Sequence, residues 1–178
     1  MKMKRGITLV IISILALTIV STTVLAHSEG LSREAVKQLA KAKSATSRYN
    51  NVKNAIRDGY VSTISCIEDP ELGAMGIHYV KPSLVDGDLD VRKPEVLVYM
   101  PTKRGLKLVA LEYFIPKSLA PMNQTPMLFG MPFNGPMPGH MEGQPEHYDL
   151  HSWIWEKNPS GTFNNWNPNL HCPEIKSE

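Results

Sequence analysis

Cysteine is scarce in this sequence, and several familiar catalytic and binding motifs are missing. The 178 residues contain two cysteines, no zinc-finger spacing, no Gly-x-Ser-x-Gly nucleophile elbow and no glycine-rich phosphate loop. These absences exclude a zinc-finger module and remove the usual sequence signatures of α/β-hydrolases and P-loop nucleotide-binding proteins. There is also no internal repeat, so a repeat architecture is not expected.

The sequence also has no large excess of basic over acidic residues or the reverse. The chain has 19 Lys and Arg against 17 Asp and Glu. Three of the basic residues, Lys2, Lys4 and Arg5, precede an apolar run, and without them 16 basic residues remain against 17 acidic ones. The sequence therefore gives no reason to expect a nucleic acid or an anionic membrane surface as a partner.

Residues 1–26 have the pattern of a secretory signal peptide. A basic start is followed by an apolar run over 7–20, and Val24-Leu25-Ala26 offers small residues for cleavage. The alternative is an uncleaved anchor, because the apolar run is nearly long enough to cross a bilayer. No cysteine follows the run, which excludes a lipoprotein anchor. In both cases we expect one exported domain, 27–178, that is secreted or held in the cell envelope and meets the membrane only through an uncleaved signal segment.

Both cysteines, Cys66 and Cys172, lie in the exported part. An even number of cysteines in an oxidising compartment predicts one disulfide, which would connect the segment after the first helix to the end of the chain. The alternative is two separate thiols or a soft metal site.

The sequence of the exported part predicts an α+β fold, with a long N-terminal amphipathic helix packed on a mostly antiparallel curved sheet or small barrel. Ser32 can cap the helix and Asp58-Gly59 can end it. Between them apolar residues recur at steps of three and four, namely Ala35, Leu39, Ala42, Ala45, Tyr49, Val52 and Ile56. Alternating, β-branched segments predict strands over 60–67, 76–80, 95–100, 106–115 and 147–156, with 101–105 as a hairpin turn.

Residues 116–145 are rich in Pro, Met and Gly and predict a long loop without regular structure. Five methionines lie within 20 residues of this segment, next to His140: Met122, Met127, Met131, Met137 and Met141. Thioethers with imidazole are suited to copper(I). Adaptable packing by methionine is the alternative, and the many prolines favour it.

The segment His147–Trp155, with sequence HYDLHSWIW, concentrates the candidate functional residues. On a strand, His147, Asp149, His151, Trp153 and Trp155 would share one face. Residues two apart lie about 6.6 Å from each other, so Asp149 and either histidine could bind one ion, whereas the two histidines are too far apart.

A His-x-Asp pair with one more histidine is a ligand set for a mononuclear zinc or iron site. The additional ligand could be His78, His140 or His171, and Trp153, Trp155 and Tyr79 are candidates to line a ligand cleft. The alternative is a metal-free polar cluster in which the histidines contact Asp149 beneath the tryptophans.

Five segments resemble a family of exported bacterial proteins to which no function is assigned. They are GAMGIHYV at 73–80, KPEVLVY at 93–99, LFGMPF at 128–133, HYDLHSWIW at 147–155 and NPSGTF at 158–163. The resemblance covers nearly all of the exported part. It implies export and a single domain, and it implies no substrate, cofactor or mechanism.

Three functional hypotheses follow. The first is a secreted or envelope protein that binds a metal ion (Zn, Fe or Cu) or a small ligand in a cleft lined by His, Asp and Trp. The second is an exported metal-dependent enzyme, a hydrolase or oxidoreductase, that uses the same residues and leaves a coordination position open. The third is an envelope interaction module without such a site.

Overall fold

The computed structural model describes residues 30–62, 65–139 and 143–173. The expected signal segment, 1–26, and the candidate ligand His140 lie outside these residues. Within them, the helices are too short or too polar to cross a membrane. The described part has an α+β fold in which every strand pair is antiparallel, as predicted, but the sheet is open and does not close into a barrel.

The N-terminal helical region is interrupted, so the prediction of one long helix is wrong. It consists of helix α1 (Arg33–Thr46), a 3-10 turn (Ser47–Asn50) and helix α2 (Val52–Arg57). Ser32 caps α1 as predicted, because its side chain accepts a hydrogen bond from the Ala35 amide at 3.0 Å. The break occurs at Asn51, whose backbone is extended and whose side chain accepts a hydrogen bond from the Lys53 amide to cap α2. Asparagine favours such local side-chain bonds over a continuing helix.

The main sheet has the strand order β1-β3-β4-β5-β9-β8, and β2 also pairs with β3. The strands of the described part are β1 (Val61–Ser62), β2 (Ile67–Asp69), β3 (Gly73–Val80), β4 (Val96–Thr102), β5 (Gly105–Pro116), β6 (Met127–Leu128), β7 (Met131–Pro132), β8 (Asn134–Met137) and β9 (His147–Ser152). The predicted hairpin is present as β4 and β5, which pair from Thr102 opposite Gly105 onward. The final strand ends at Ser152, four residues earlier than predicted.

The segment 116–145 contains more structure than its composition predicts. Strands β6 and β7 form a small separate hairpin, and β8 pairs with β9 at the edge of the main sheet. Pro136 lies within β8. An edge strand tolerates proline because one side of its backbone has no partner strand that needs an N–H donor.

The two faces of the sheet have different coverings. On one face, the helices pack through small residues such as Ala42 and Ala55 against a core that includes Leu97, Tyr99 and Leu111. We call the opposite face the polar face because it carries the histidines and acids described below. A smaller apolar cluster there joins Val98, Ala110 and Trp153 of the sheet region to Leu170 and Cys172 near the end of the chain. The C-terminal segment, 153–173, thus packs beside the polar face through Trp153, Leu170 and Cys172. Its residues Ile154, Trp155 and Phe163 pack against the core on the helix side.

Asparagines order this irregular C-terminal segment. Asn167 is fully buried, donates a hydrogen bond to the Lys157 carbonyl and accepts one from the Asn169 amide. Asn158 donates to the Trp166 carbonyl at 2.8 Å and accepts from the Ser160 amide. The predicted disulfide between Cys66 and Cys172 is present, with the two residues 106 positions apart. It connects the end of the segment to the chain just before β2.

Gly73 sets how closely the C-terminal segment approaches β3. Its φ is +89°, and a Cβ there would lie 2.3 Å from the Asn167 carbonyl oxygen. We therefore expect Gly73→Ala to reduce the free energy of unfolding by about 2 kcal/mol or more beyond the backbone cost alone. Gly59→Ala is the matched control, because Gly59 has φ +93° with no atom within 4 Å of an added Cβ. Urea unfolding of both variants measures the difference, and equal losses would contradict this contact.

Candidate metal centre

Strand β9 presents its titratable side chains to the polar face. His147, Asp149 and His151 alternate with residues of the helix-side core and are each at most 1% exposed. Their partners on β5 are Pro116, Phe114 and Glu112, respectively. The cross-strand register therefore places an acid, Glu112, directly beside His151.

Three side chains converge on this face from three strands. His78 of β3, Glu112 of β5 and His151 of β9 each offer a ligand atom, and these atoms lie within 4.8 Å of one another. Glu112 Oε2 is 3.2 Å from His78 Nε2 and 3.8 Å from His151 Nε2. The two imidazole rings are nearly perpendicular, with centroids 5.8 Å apart. We call these three residues the His-Glu-His triad.

His78 reaches Glu112 across β4 because the side chains of Val98 on β4 and Ala110 on β5 are short. His78 pairs with Val98, and Val98 pairs with Ala110, which is two residues before Glu112 on β5. None of the three triad residues is more than 7% exposed. The triad is therefore a buried site, not a feature of the solvated surface.

Burial alone would raise the pKa of Glu112, but His78 and His151 oppose it and lower that pKa to about 2. Nearby positive charge and hydrogen bonding favour the ionised carboxylate. Glu112 is thus an anion at neutral pH. A buried anion between two imidazoles has the donor set that a divalent transition metal prefers.

Glu95 is a second buried glutamate with the opposite behaviour. It is 1% exposed, its Oε2 accepts a hydrogen bond from the Phe114 amide, and burial raises its pKa to about 8. Its titratable neighbours include Glu112 and Asp86, both of which raise the pKa further. The contrast shows that the charge of Glu112 depends on its two histidines.

The raised pKa of Glu95 predicts a pH-dependent stability. Between about pH 4.5 and about pH 8 the folded protein keeps a proton that the unfolded chain has released, so the free energy of unfolding falls as the pH rises. We expect a loss on the order of 3 kcal/mol across this window. Glu95→Gln should remove most of it, whereas the exposed Glu71→Gln should not. Chemical unfolding at pH 5 and pH 8 tests this, and an unchanged pH profile in Glu95→Gln would contradict it.

Asp149 lies next to the triad without joining it. Its Oδ1 accepts long hydrogen bonds from Asn134 Nδ2 at 3.5 Å and Asn165 Nδ2 at 3.4 Å. Its Oδ2 is buried and has no hydrogen bond among the described residues. Burial raises the pKa of Asp149, and Glu112 also raises it, whereas His151 acts in the opposite direction.

The remaining candidate histidines have other surroundings. His147 packs on Phe114, with ring centroids 4.6 Å apart, and its Nδ1 lies 3.0 Å from the Pro145 carbonyl oxygen. His171 lies beside the disulfide, where its Nδ1 is 2.8 Å from Glu68 Oε1. It is exposed and does not contribute to the triad.

The aromatic cleft candidates are divided between the two faces. Trp153 stacks on His151 at 6.4 Å and donates a hydrogen bond to the Asn164 carbonyl. Trp155 instead lies on the helix side, near Thr46 and Lys43 of α1, because β9 ends before it and the alternation does not continue. Tyr79 also belongs to the helix side, since it directly follows His78 in β3, and it packs on Tyr99.

Glu112 is not among the ligands predicted from the sequence. One signal was available, because Glu112 interrupts an otherwise apolar stretch of β5 from Leu108 to Ile115. A glutamate at the centre of a buried strand requires a partner. Finding which histidines supply it requires the strand order.

A pocket of about 380 Å³ opens next to Asp149. It is lined by Asn134, Phe163, Asn164, Asn165 and Trp166. Two of these residues, Asn134 and Asn165, are those that hydrogen-bond with Asp149. The pocket is therefore linked to Asp149, a buried acid of the polar face, by two side-chain amides.

Comparison of the chain with protein-family models, with curated proteins and with solved structures gives no match.

Proposed function

We propose that this protein is an extracytoplasmic metal-binding protein that holds one zinc(II) or iron(II) ion between His78, Glu112 and His151. The observation that carries the proposal is the convergence of two imidazoles and an ionised carboxylate within 4.8 Å in a buried site. This donor set occurs in zinc sites of the His2Glu type and in mononuclear iron(II) sites with two histidines and one carboxylate.

The choice of metal follows from the donors. Imidazole nitrogen and carboxylate oxygen suit zinc(II) and iron(II), whereas copper(I) prefers thioether or thiolate sulfur. The described methionines of the loop do not enter the triad, and Met122 and Met127 are 91% and 59% exposed. The triad thus supports zinc or iron over the copper site that the methionine-rich loop suggests.

The proposed compartment is supported by the disulfide. A bond between Cys66 and Cys172 persists in an oxidising environment outside the cytoplasm. The signal-like pattern of residues 1–26 points in the same direction. Metal capture would then occur outside the cytoplasm.

An exported metal-dependent enzyme is the second candidate, and Asp149 is the observation that favours it. Three protein ligands leave a coordination position open for water or substrate. Asp149 has a raised pKa, and one of its carboxylate oxygens has no hydrogen bond within the described part of the chain. It lies on the same strand face as His151. A carboxyl group with these properties is suited to exchange a proton with a metal-bound group.

Cobalt(II), whose visible absorption reports its coordination, tests both candidates in one experiment. We expect residues 27–178, the chain without its signal segment and called the mature chain below, to bind one cobalt(II) ion with bands typical of low coordination number. His151→Ala should lose these bands. His171→Ala is the matched control, because it removes an exposed histidine outside the triad. If azide then changes the spectrum, the open position is accessible and the enzyme is favoured. If wild type binds no ion, or if His151→Ala binds it equally well, the metal proposal is wrong.

A further inference from the structure

The pocket beside Asp149 has a lining that selects for a neutral, hydroxyl-rich ligand. Its five lining residues are three asparagines and two aromatic residues, and none of them carries a charge. We propose that this pocket binds a neutral carbohydrate. The inference is independent of metal binding, because it rests on the pocket residues alone.

The absence of charge among the lining residues argues against an ionic ligand. A pocket for a phosphate, a carboxylate or an ammonium group is expected to provide an opposite charge, since an ion that leaves water needs a partner. Side-chain amides instead offer one carbonyl acceptor and two N–H donors each. This combination matches sugar hydroxyl groups, which both donate and accept hydrogen bonds.

The hydrogen bonds within the lining determine which polar atoms remain for a ligand. Asn134 Nδ2 donates to Asn165 Oδ1 at 2.7 Å, and Asn165 Nδ2 donates to Asp149 Oδ1. Asn164 Oδ1 accepts from the Trp166 amide at 3.0 Å. Asn134 Oδ1, an acceptor, and Asn164 Nδ2, a donor, are among the polar atoms that have no hydrogen bond to the described residues. Together they complement a hydroxyl group that accepts from one amide and a hydroxyl group that donates to the other.

The aromatic residues supply the apolar part of the site. Trp166 and Phe163 line the pocket and are half-buried, so part of each side chain is accessible. Phe163 is braced from behind by Phe129, whose ring centroid is 5.5 Å away. The C–H groups on one face of a pyranose ring can pack on such a surface, while the hydroxyls at its rim reach the amides.

The wall of the pocket is held in place before a ligand arrives. Trp153 donates a hydrogen bond to the Asn164 carbonyl at 2.6 Å, and Asn158 donates one to the Trp166 carbonyl. These bonds fix the backbone of Asn164 and Trp166 against Trp153 and Asn158 of the same C-terminal segment. A preorganised wall loses little conformational entropy on binding, which matters for a ligand that offers mainly hydrogen bonds.

Binding of cellohexaose, maltohexaose and chitohexaose to the mature chain tests the proposal, with tryptophan fluorescence and calorimetry as readouts. A chelator is present throughout, so the result does not depend on a metal ion. We expect saturable binding of at least one neutral oligosaccharide and about tenfold weaker binding in Trp166→Ala. Asn134→Ala, which removes an exposed amide, should also weaken binding, whereas Asn50→Ala outside the pocket should not.

Thermal unfolding of each variant verifies that it is folded. If Trp166→Ala does not fold, Asn134→Ala still tests the role of the pocket. The proposal is overturned if none of the three sugars binds at about 10 mM. It is also overturned if binding is unaffected by both pocket variants, or if only the charged hexagalacturonate binds.

Discussion

Glu112→Gln is expected to weaken zinc(II) binding by about 100-fold or more. Glutamine has nearly the same volume, so packing on the polar face is retained, but the only anionic ligand of the His-Glu-His triad is lost. Metal ions bind deprotonated donors, and the interactions of Glu112 with His78 and His151 lower the pKa of its carboxyl group, which favours the carboxylate form that binds a metal. Competition titration with a chelator of known affinity measures the change.

Glu95→Gln is the matched control for this experiment. Glu95 is also a buried glutamate, but it contacts the Phe114 amide and is not one of the three converging ligands. We expect its substitution to leave zinc affinity within about twofold of wild type. Equal weakening in both variants would indicate an effect on the fold, and no weakening in Glu112→Gln would place the ion elsewhere.

Removal of the disulfide is expected to have the second large effect. The double substitution Cys66→Ser and Cys172→Ser should lower the free energy of unfolding by about 4–5 kcal/mol. The bond joins two residues that are 106 positions apart in the sequence, and a long loop gains much conformational entropy in the unfolded chain when it is opened. Guanidinium unfolding of wild type and variant gives the difference.

Reduction of the wild-type protein provides the control, because it opens the same loop without any substitution. The loss should be similar in the two cases. The C-terminal segment should also become more accessible, since Cys172 and Leu170 pack with Val98 and Trp153 beside the polar face. Hydrogen exchange at the Trp153 and Asn167 amides would report this. A loss of less than about 1 kcal/mol would contradict the role given to the disulfide.

Local sequence patterns predicted the elements whose structure depends on neighbouring residues. The hairpin β4–β5 has two alternating segments around a turn that contains Gly105, and β9 presents His147, Asp149 and His151 on one face as its alternation requires. The disulfide followed from the cysteine count and the expected compartment. In each case the information lies within a few residues or in a single pair.

Features that depend on competition between neighbours were predicted less well. The apolar residues of the first helical segment keep their spacing of three and four through Asn51. The helix is nevertheless interrupted there, because the Asn51 side chain caps a new helix. The spacing of apolar residues does not reveal this competing hydrogen bond. Strand β8 contains Pro136 and was expected to be loop, since composition does not reveal that a segment will lie at a sheet edge.

The triad shows why the site itself was only partly predictable. The alternation of side chains along β9 predicted that His151 shares a face of the sheet with His147 and Asp149. It could not identify which residues of other strands lie beside His151 on that face. Glu112 meets His151 through the antiparallel register of β5 with β9, and His78 reaches both because β4 lies between β3 and β5. Such a register is set by packing over the whole sheet.

Anomalous diffraction at the zinc edge, from crystals of the mature chain grown with one equivalent of zinc(II), tests the metal proposal most directly. We predict one strong peak about 2 Å from a nitrogen of His78, a nitrogen of His151 and an oxygen of Glu112. A peak only at the exposed His171 and Glu68, or no peak on the polar face, would contradict it.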